Sequence, residues 1–308
     1  MSVTELKSAI RRQVENRLDR AARAYLDDGG LARVDFTAPA GEPALSPPHS
    51  VSWRIFKNPV TLFIGGVAAV ILELAEPRVR TGVWENSSFR TNPVGRLKRT
   101  GLAAMVTVYG ARSEAEAMIA RINAVHDRIS GVTPCGTPFH ASDPALLTWV
   151  QATAAYGFLE AYHAYASPLS DAERDDYYAT SAIAAGLYGA SGAPRSVAEQ
   201  RRLFDEMTPH LESSAIIIEF LTIMKKAEAF PHPAQFAQHS LVRAAVELTP
   251  AKIRRRIGLG PRYGLRPFEG RVVRRMARRA DRLVLRSGPA ASACRRLGLP
   301  DDYLYRPS

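Results

Sequence analysis

Two cysteines among 308 residues, Cys135 and Cys294, are too few and too far apart for a CxxC zinc site, a CxxCH haem attachment or a disulfide framework. Two free thiols in a reducing compartment are expected. Long apolar runs are missing as well. The uncharged apolar stretch 58–72 stops at Glu73 and falls short of the roughly 20 residues that span a bilayer. The N-terminus, MSVTELKSAIRRQVENRLDRAARAY, alternates charges at helical spacing and has no apolar signal core, so a cytoplasmic protein is expected, in contact with membrane at most at its surface. Catalytic signatures are absent too. There is no HExxH, no GxxxxGK[ST] and no GxSxG, which sets aside zincin, P-loop and hydrolase-elbow readings.

Strand signals are scarce: no Asn-Gly occurs, the one Asp-Gly, Asp28-Gly29, is not flanked by alternating runs, and alternating β-branched runs elsewhere are short. Helix starts recur instead. Asn92-Pro93 opens GRLKRTGLAAMVTVYG, which Gly110 closes, and Asp143-Pro144 opens a long run that Pro168 stops. Ser113/Glu116, Ser170/Glu173 and Ser196/Glu199 have the spacing of capping boxes, the first for a helix ending near Gly131. Thr208-Pro209 and Thr249-Pro250 read as two further openings. The fold class expected is all-α. Its organisation is an N-terminal helix over 1–31, a proline-rich linker over 32–50, one helical core over 51–248 and a C-terminal helical extension over 249–308.

Charge is concentrated in that extension. It holds 16 Lys/Arg against 4 Asp/Glu, whereas the preceding 248 residues hold 25 against 26. In EGRVVRRMARRADRLVLRSG, arginines at 271, 274, 275, 278, 279, 282 and 286 recur every three or four residues opposite Val272, Val273, Met276, Ala280 and Leu283. Such a helix packs its apolar side on the core, lies on an anionic membrane, or meets phosphates. A nucleic-acid enzyme spreads basic residues through its working face, so nucleic acid is not the partner expected. Peripheral membrane contact is.

Seven histidines narrow the search for chemistry. His126 lies four residues after Ile122, on the face of SEAEAMIARINAVHDRISG that carries Ala115, Met118, Ile119, Ile122, Val125 and Ile129. It is either a core histidine bonded to a backbone carbonyl or a neutral imidazole offered to a metal or haem iron. Arg96, Arg99 and Thr100 share one face of the preceding helix, as a solvated basic stripe or as guanidiniums meeting buried carboxylates beside a hydroxyl. The segment KNPVTLFIGGVAAVILELAEP is apolar all round, and Gly65-Gly66 at its centre admits either a flat cofactor or another backbone.

Five segments occur in an order that resembles a known family: NPVTLFIGGVAAVILELAEPRVRTGV, ENSSFRTNPVGRLKRT, INAVHDRISG, PFHASDPALLTWVQAT, and PLSDAERDDYY before LYGA. Over about residues 50–195 the chain is similar to the oxygenases grouped with the fungal enzyme MpaB and the bacterial rubber oxygenases, or latex-clearing proteins. The resemblance implies a globin-like helical core around haem b. His126 would be the iron ligand, Gly65 and Gly66 would line the cofactor, and Arg96, Arg99 and Thr100 would stand on the distal side. Glu85 is the candidate base, its alignment against Glu73 and Glu76 left open. Two departures accompany the likeness. Arg99 stands where some rubber oxygenases carry a lysine that can cap the iron, and a guanidinium is a very poor ligand. Gln151 replaces the histidine of WVHAT. The resemblance thus implies a haem-dependent oxygenase taking O2 and an apolar, isoprenoid- or alkene-like substrate. The alternative is a haem- or hydrophobic-ligand-binding sensor or carrier without turnover.

Overall fold

Most of the helices begin where a polar side chain satisfies free N–H groups of the first turn. In the computed structural model, which describes residues 34–227, 229 and 237–306, Ser50 caps α1 (Val51–Phe56) and Asn58 caps α2 (Pro59–Glu73). Glu76 caps α3 (Pro77–Asn86) and Asn92 caps α4 (Pro93–Tyr109), each with proline in the first turn, where its missing N–H costs nothing. α5 is Arg112–His126. A hairpin of β1 (Ser130–Val132) and β2 (Pro138–His140) pairs antiparallel, Gly131 opposite Phe139. Then follow α6 (Pro144–Tyr165), α7 (Asp171–Leu187), α8 (Val197–Met207), α9 (Ala215–Lys226), α10 (Gln238–Leu248), α11 (Ala251–Arg256), α12 (Glu269–Ala280) and α13 (Pro289–Arg296). The protein is all-α, with one small hairpin among the described residues.

α2 and α6 form the central pair. α2 is apolar on every side because α6, α10 and α12 all pack on it. Buried aromatics tie the surrounding elements by their polar edges. The Tyr109 hydroxyl donates to the Trp53 carbonyl at 2.7 Å, and the indole N–H groups of Trp53 and Trp149 donate to the carbonyls of Ser46 and Leu72. No single helix is long and apolar enough to cross a membrane among the described residues.

The C-terminal segment is woven into the same core. Val273 and Ala277 of α12 are fully buried, and the Asn58 amide donates to the Ala277 carbonyl at 2.9 Å. Asp281 meets Lys57 at 3.5 Å and accepts from the Tyr162 hydroxyl. Arg296 of α13 donates to the carbonyls of Phe36 and Glu42, fixing residues 34–50 against the body. The packing therefore has no break at 248/249. The helix expected over 1–31 lies outside the described residues. Cys135 and Cys294 are both free thiols.

Four local expectations need correction. α5 starts at Arg112, so Ser113 lies inside its first turn and is held by Glu42 rather than forming a box with Glu116. That helix ends at His126, five residues before Gly131, which enters the hairpin. Thr208-Pro209 opens only a one-turn 3-10 segment, and the apolar helix begins at Ala215 under a Ser214 cap. At Ser196 the box is half made: Ser196 accepts from the Glu199 N–H, while the Glu199 carboxylate takes the Arg195 N–H.

Candidate functional site

On α2 the positions that keep accessible surface, Pro59, Leu62, Phe63, Gly66, Val70 and Glu73, fall on one stripe. α6 keeps surface on more than one side, and Val150, Ala154 and Phe158 are the set that shares a single face. Spacings of three and four residues put each set on one face. A stripe of partial exposure on a helix otherwise packed all round borders a recess. The two stripes meet, since a Cβ on Gly66 would touch the Phe158 ring at 3.9 Å and the Thr153 hydroxyl bonds the Glu73 carboxylate.

Glu73 is the last residue of α2, at the negative end of its dipole, where a carboxylate is disfavoured. Burial pushes its pKa up to about 7, against the opposing pull of the Arg96 charge and the Thr153 hydrogen bond. Arg96, from the first turns of α4, is in turn lowered by burial, with Glu73 opposing. Its guanidinium donates to Thr100 Oγ1 at 2.7 Å and lies over the Phe89 ring, while its buried Nε has no hydrogen-bond partner. Arg96 also acts on His126. Burial first, then the Arg96 charge, lower the imidazole pKa below its ordinary 6.5, against Asp127. His126 ends α5 half-buried, and its Nδ1 is buried with no hydrogen-bond partner. Glu73, Arg96 and His126 thus form one electrostatic unit drawn from α2, α4 and α5.

The other candidates are placed as follows. Arg99 is half-buried and donates to Ser88 Oγ; Thr100 is exposed and bonded to Arg96. Of the two alternatives for Gly65, another backbone is the one found: an added Cβ would lie 2.6 Å from the Gly157 carbonyl oxygen. Gly66 instead faces the recess. Glu85 is exposed on α3, with no hydrogen bond or ion pair among the described residues. Glu76 is taken up by the α3 cap and Arg78. The carboxylate brought to the arginine helix is therefore Glu73, not Glu85. Its signal in the sequence was a lone acid closing an apolar helix. Gln151 is half-exposed on α6. Among the described residues no three His, Cys, Asp or Glu side chains converge as a metal site.

The catalytic-domain model described as ER-bound oxygenase mpaB/B′/Rubber oxygenase matches residues 53–282. The chain belongs to this family. No curated protein and no solved structure matches the chain. The mpaB/rubber oxygenase match covers Glu73, Arg96 and His126 together, and it runs through α12, in keeping with the continuous packing there. Membership carries oxygenase activity in general terms.

Proposed function

We propose that this chain is a haem-b oxygenase acting on an apolar, isoprenoid- or alkene-like substrate, with His126 as the iron ligand. The observation that carries the reading is the state of His126. Its imidazole is held neutral by burial and by Arg96, and its buried Nδ1 has no partner in the chain. A neutral imidazole is the form that binds iron. One such protein donor would suffice to hold haem, whose porphyrin would supply the other ligands of the iron.

Haem bound here would supply the redox chemistry that activates dioxygen. The chain's own groups would do the rest. Arg96 presents N–H donors to developing negative charge, with Thr100 accepting from its guanidinium and donating to the Arg96 carbonyl. Glu73, with a pKa of about 7, can accept an allylic proton on its carboxylate near neutral pH and release it again. Half-buried Leu62, Val70, Val150 and Phe158 offer an apolar wall to the substrate chain and exclude water.

The test is the absorption spectrum of the full chain with added haemin. A Soret band at one haem per chain is expected, lost or greatly weakened in His126→Ala, whose fold is checked by circular dichroism. A wild-type spectrum and stoichiometry in the variant would overturn the ligand assignment. Reduced protein incubated with isoprenoid and unsaturated lipid panels under isotopically labelled dioxygen should give a labelled carbonyl or hydroxyl product. Oxygen bound and merely released, without product, would favour a carrier or sensor.

A further inference from the structure

α12 is buried on one side only. Val273 and Ala277 face the core, and both of the segment's acids, Glu269 and Asp281, are turned to partners there, Arg243 and Lys57. The opposite side carries Arg271, Arg274, Arg275, Arg278, Arg279 and Arg282, which line a shallow groove of about 360 Å³. All six are exposed, and none forms an ion pair among the described residues. A 12-residue helix is only about 18 Å long. Five of the six guanidiniums lie within that length and Arg282 just beyond it, and they repel one another, since neighbours sit within the roughly 8 Å screening length of physiological salt.

Apolar groups share this outward face. Phe268 is 73% exposed and Val272 47%, among the most exposed large hydrophobic residues described. At 100° per residue, positions 268, 272, 275 and 279 fall together, opposite Val273 and Ala277. Phe268 is also the one non-glycine residue with positive φ, 69°, among those described. A bulky side chain in that region is strained. Here the strained backbone starts the helix while its phenyl ring stands in water under the Arg271 guanidinium.

We infer that the outward face of α12 docks on an anionic lipid bilayer, the arginines on the headgroup phosphates and Phe268 with Val272 in the acyl boundary. The charge complementarity is one-sided, because neither acid of the segment, Glu269 or Asp281, is turned to that face to be repelled. The exposed phenyl and isopropyl groups distinguish a bilayer from a phosphate-bearing polymer: only the bilayer offers an apolar layer beneath its anionic plane. This does not depend on the haem reading.

The experiment uses the full chain without haem. It is sedimented with vesicles of phosphatidylcholine alone, or of phosphatidylcholine with about a third phosphatidylserine, and a duplex DNA is titrated in parallel. Binding to the anionic vesicles alone is expected, weakened by salt. Arg275→Gln with Arg279→Gln should weaken it by about tenfold or more. Phe268→Ser should weaken it with the salt dependence unchanged, and Phe268→Trp should add a blue-shifting emission when anionic vesicles are present. All four substitutions are at exposed positions, and matching thermal melts check the fold. Absence of vesicle binding, binding indifferent to these substitutions, or duplex binding without vesicle binding would each overturn the proposal.

Discussion

Gly65 and Gly157 cross with their backbones in contact: a Cβ built on Gly65 lies 2.6 Å from the Gly157 carbonyl oxygen, and one on Gly157 lies 2.3 Å from that of Gly65. α2 and α6 can approach this closely only because both positions lack side chains. The obstacle is backbone, which cannot swing aside, so the helices must separate to admit a methyl group. Gly65→Ala should cost about 1–3 kcal/mol or more in denaturant unfolding. Gly66→Ala meets only the Phe158 ring at 3.9 Å and gains helix propensity, so it should be near neutral or slightly stabilising. Equal losses at the two positions would contradict the crossing.

The helix starts at Asn92, Asp143, Ser170 and Ser196 were legible because a cap is local: one side chain and the N–H groups two or three residues on. The same rule misled at Ser113. There the helix entry is set by residues 71 positions away, where Glu42 takes the Ser113 N–H and the Pro43 carbonyl takes the Arg112 N–H. Val125 has the periodicity of a core residue but is 56% exposed, while His126 beside it in the last turn of α5 is half-buried: at 100° per residue Val125 stands at the edge of the face that Ala115 and Ile119 bury. Glu73 illustrates what the pattern cannot contain. Its raised pKa comes from burial, opposed by Arg96 and Thr153, 23 and 80 residues along the chain, and only the packing of three helices brings these groups together. The resemblance named the histidine and the arginines; it could not choose among Glu73, Glu76 and Glu85.

Arg296 is 3% exposed and holds the extended N-terminal segment through the carbonyls of Phe36 and Glu42, while its own carbonyl accepts from the Gly41 N–H. Arg296→Met keeps the volume but strands two buried acceptors. A loss of about 2–4 kcal/mol is expected. Limited proteolysis should then cut first within residues 34–50. Cleavage elsewhere, with that segment intact, would show that other contacts hold it.

Arg99 donates to Ser88 Oγ, and a guanidinium has no lone pair to give to iron. If haem binds at His126, Arg99 leaves the remaining axial position to solvent or an added ligand. Imidazole or cyanide should therefore shift the ferric spectrum readily. A low-spin spectrum with two nitrogen ligands, indifferent to both and unchanged in Arg99→Ala, would require another side chain on the iron.

The final prediction concerns pH, and the signs of its two contributions oppose. Below pH 4.5 Glu73 is protonated in both folded and unfolded chains. Between 4.5 and about 7 the folded chain keeps a proton that the unfolded chain has lost, so stability falls as pH rises; above 7 the full cost is present. At 1.36 kcal/mol per unit that cost is roughly 3 kcal/mol, an upper figure for a side chain that keeps some contact with the recess. His126 acts the other way. Its lowered pKa means that stability is lost as pH falls below 6.5 through the folded value. The difference between wild type and Glu73→Gln isolates the carboxylate, and it should change with pH chiefly between 4.5 and 7. If Glu73 is the base, it must be ionised to work. Turnover should then rise through about pH 7 in the wild type, and Glu73→Gln should lower it by about a hundredfold or more with its haem spectrum intact. Glu85→Gln should leave both profiles unchanged. A Glu73→Gln protein with wild-type turnover and an unaltered rise near pH 7 would show that the proton goes elsewhere.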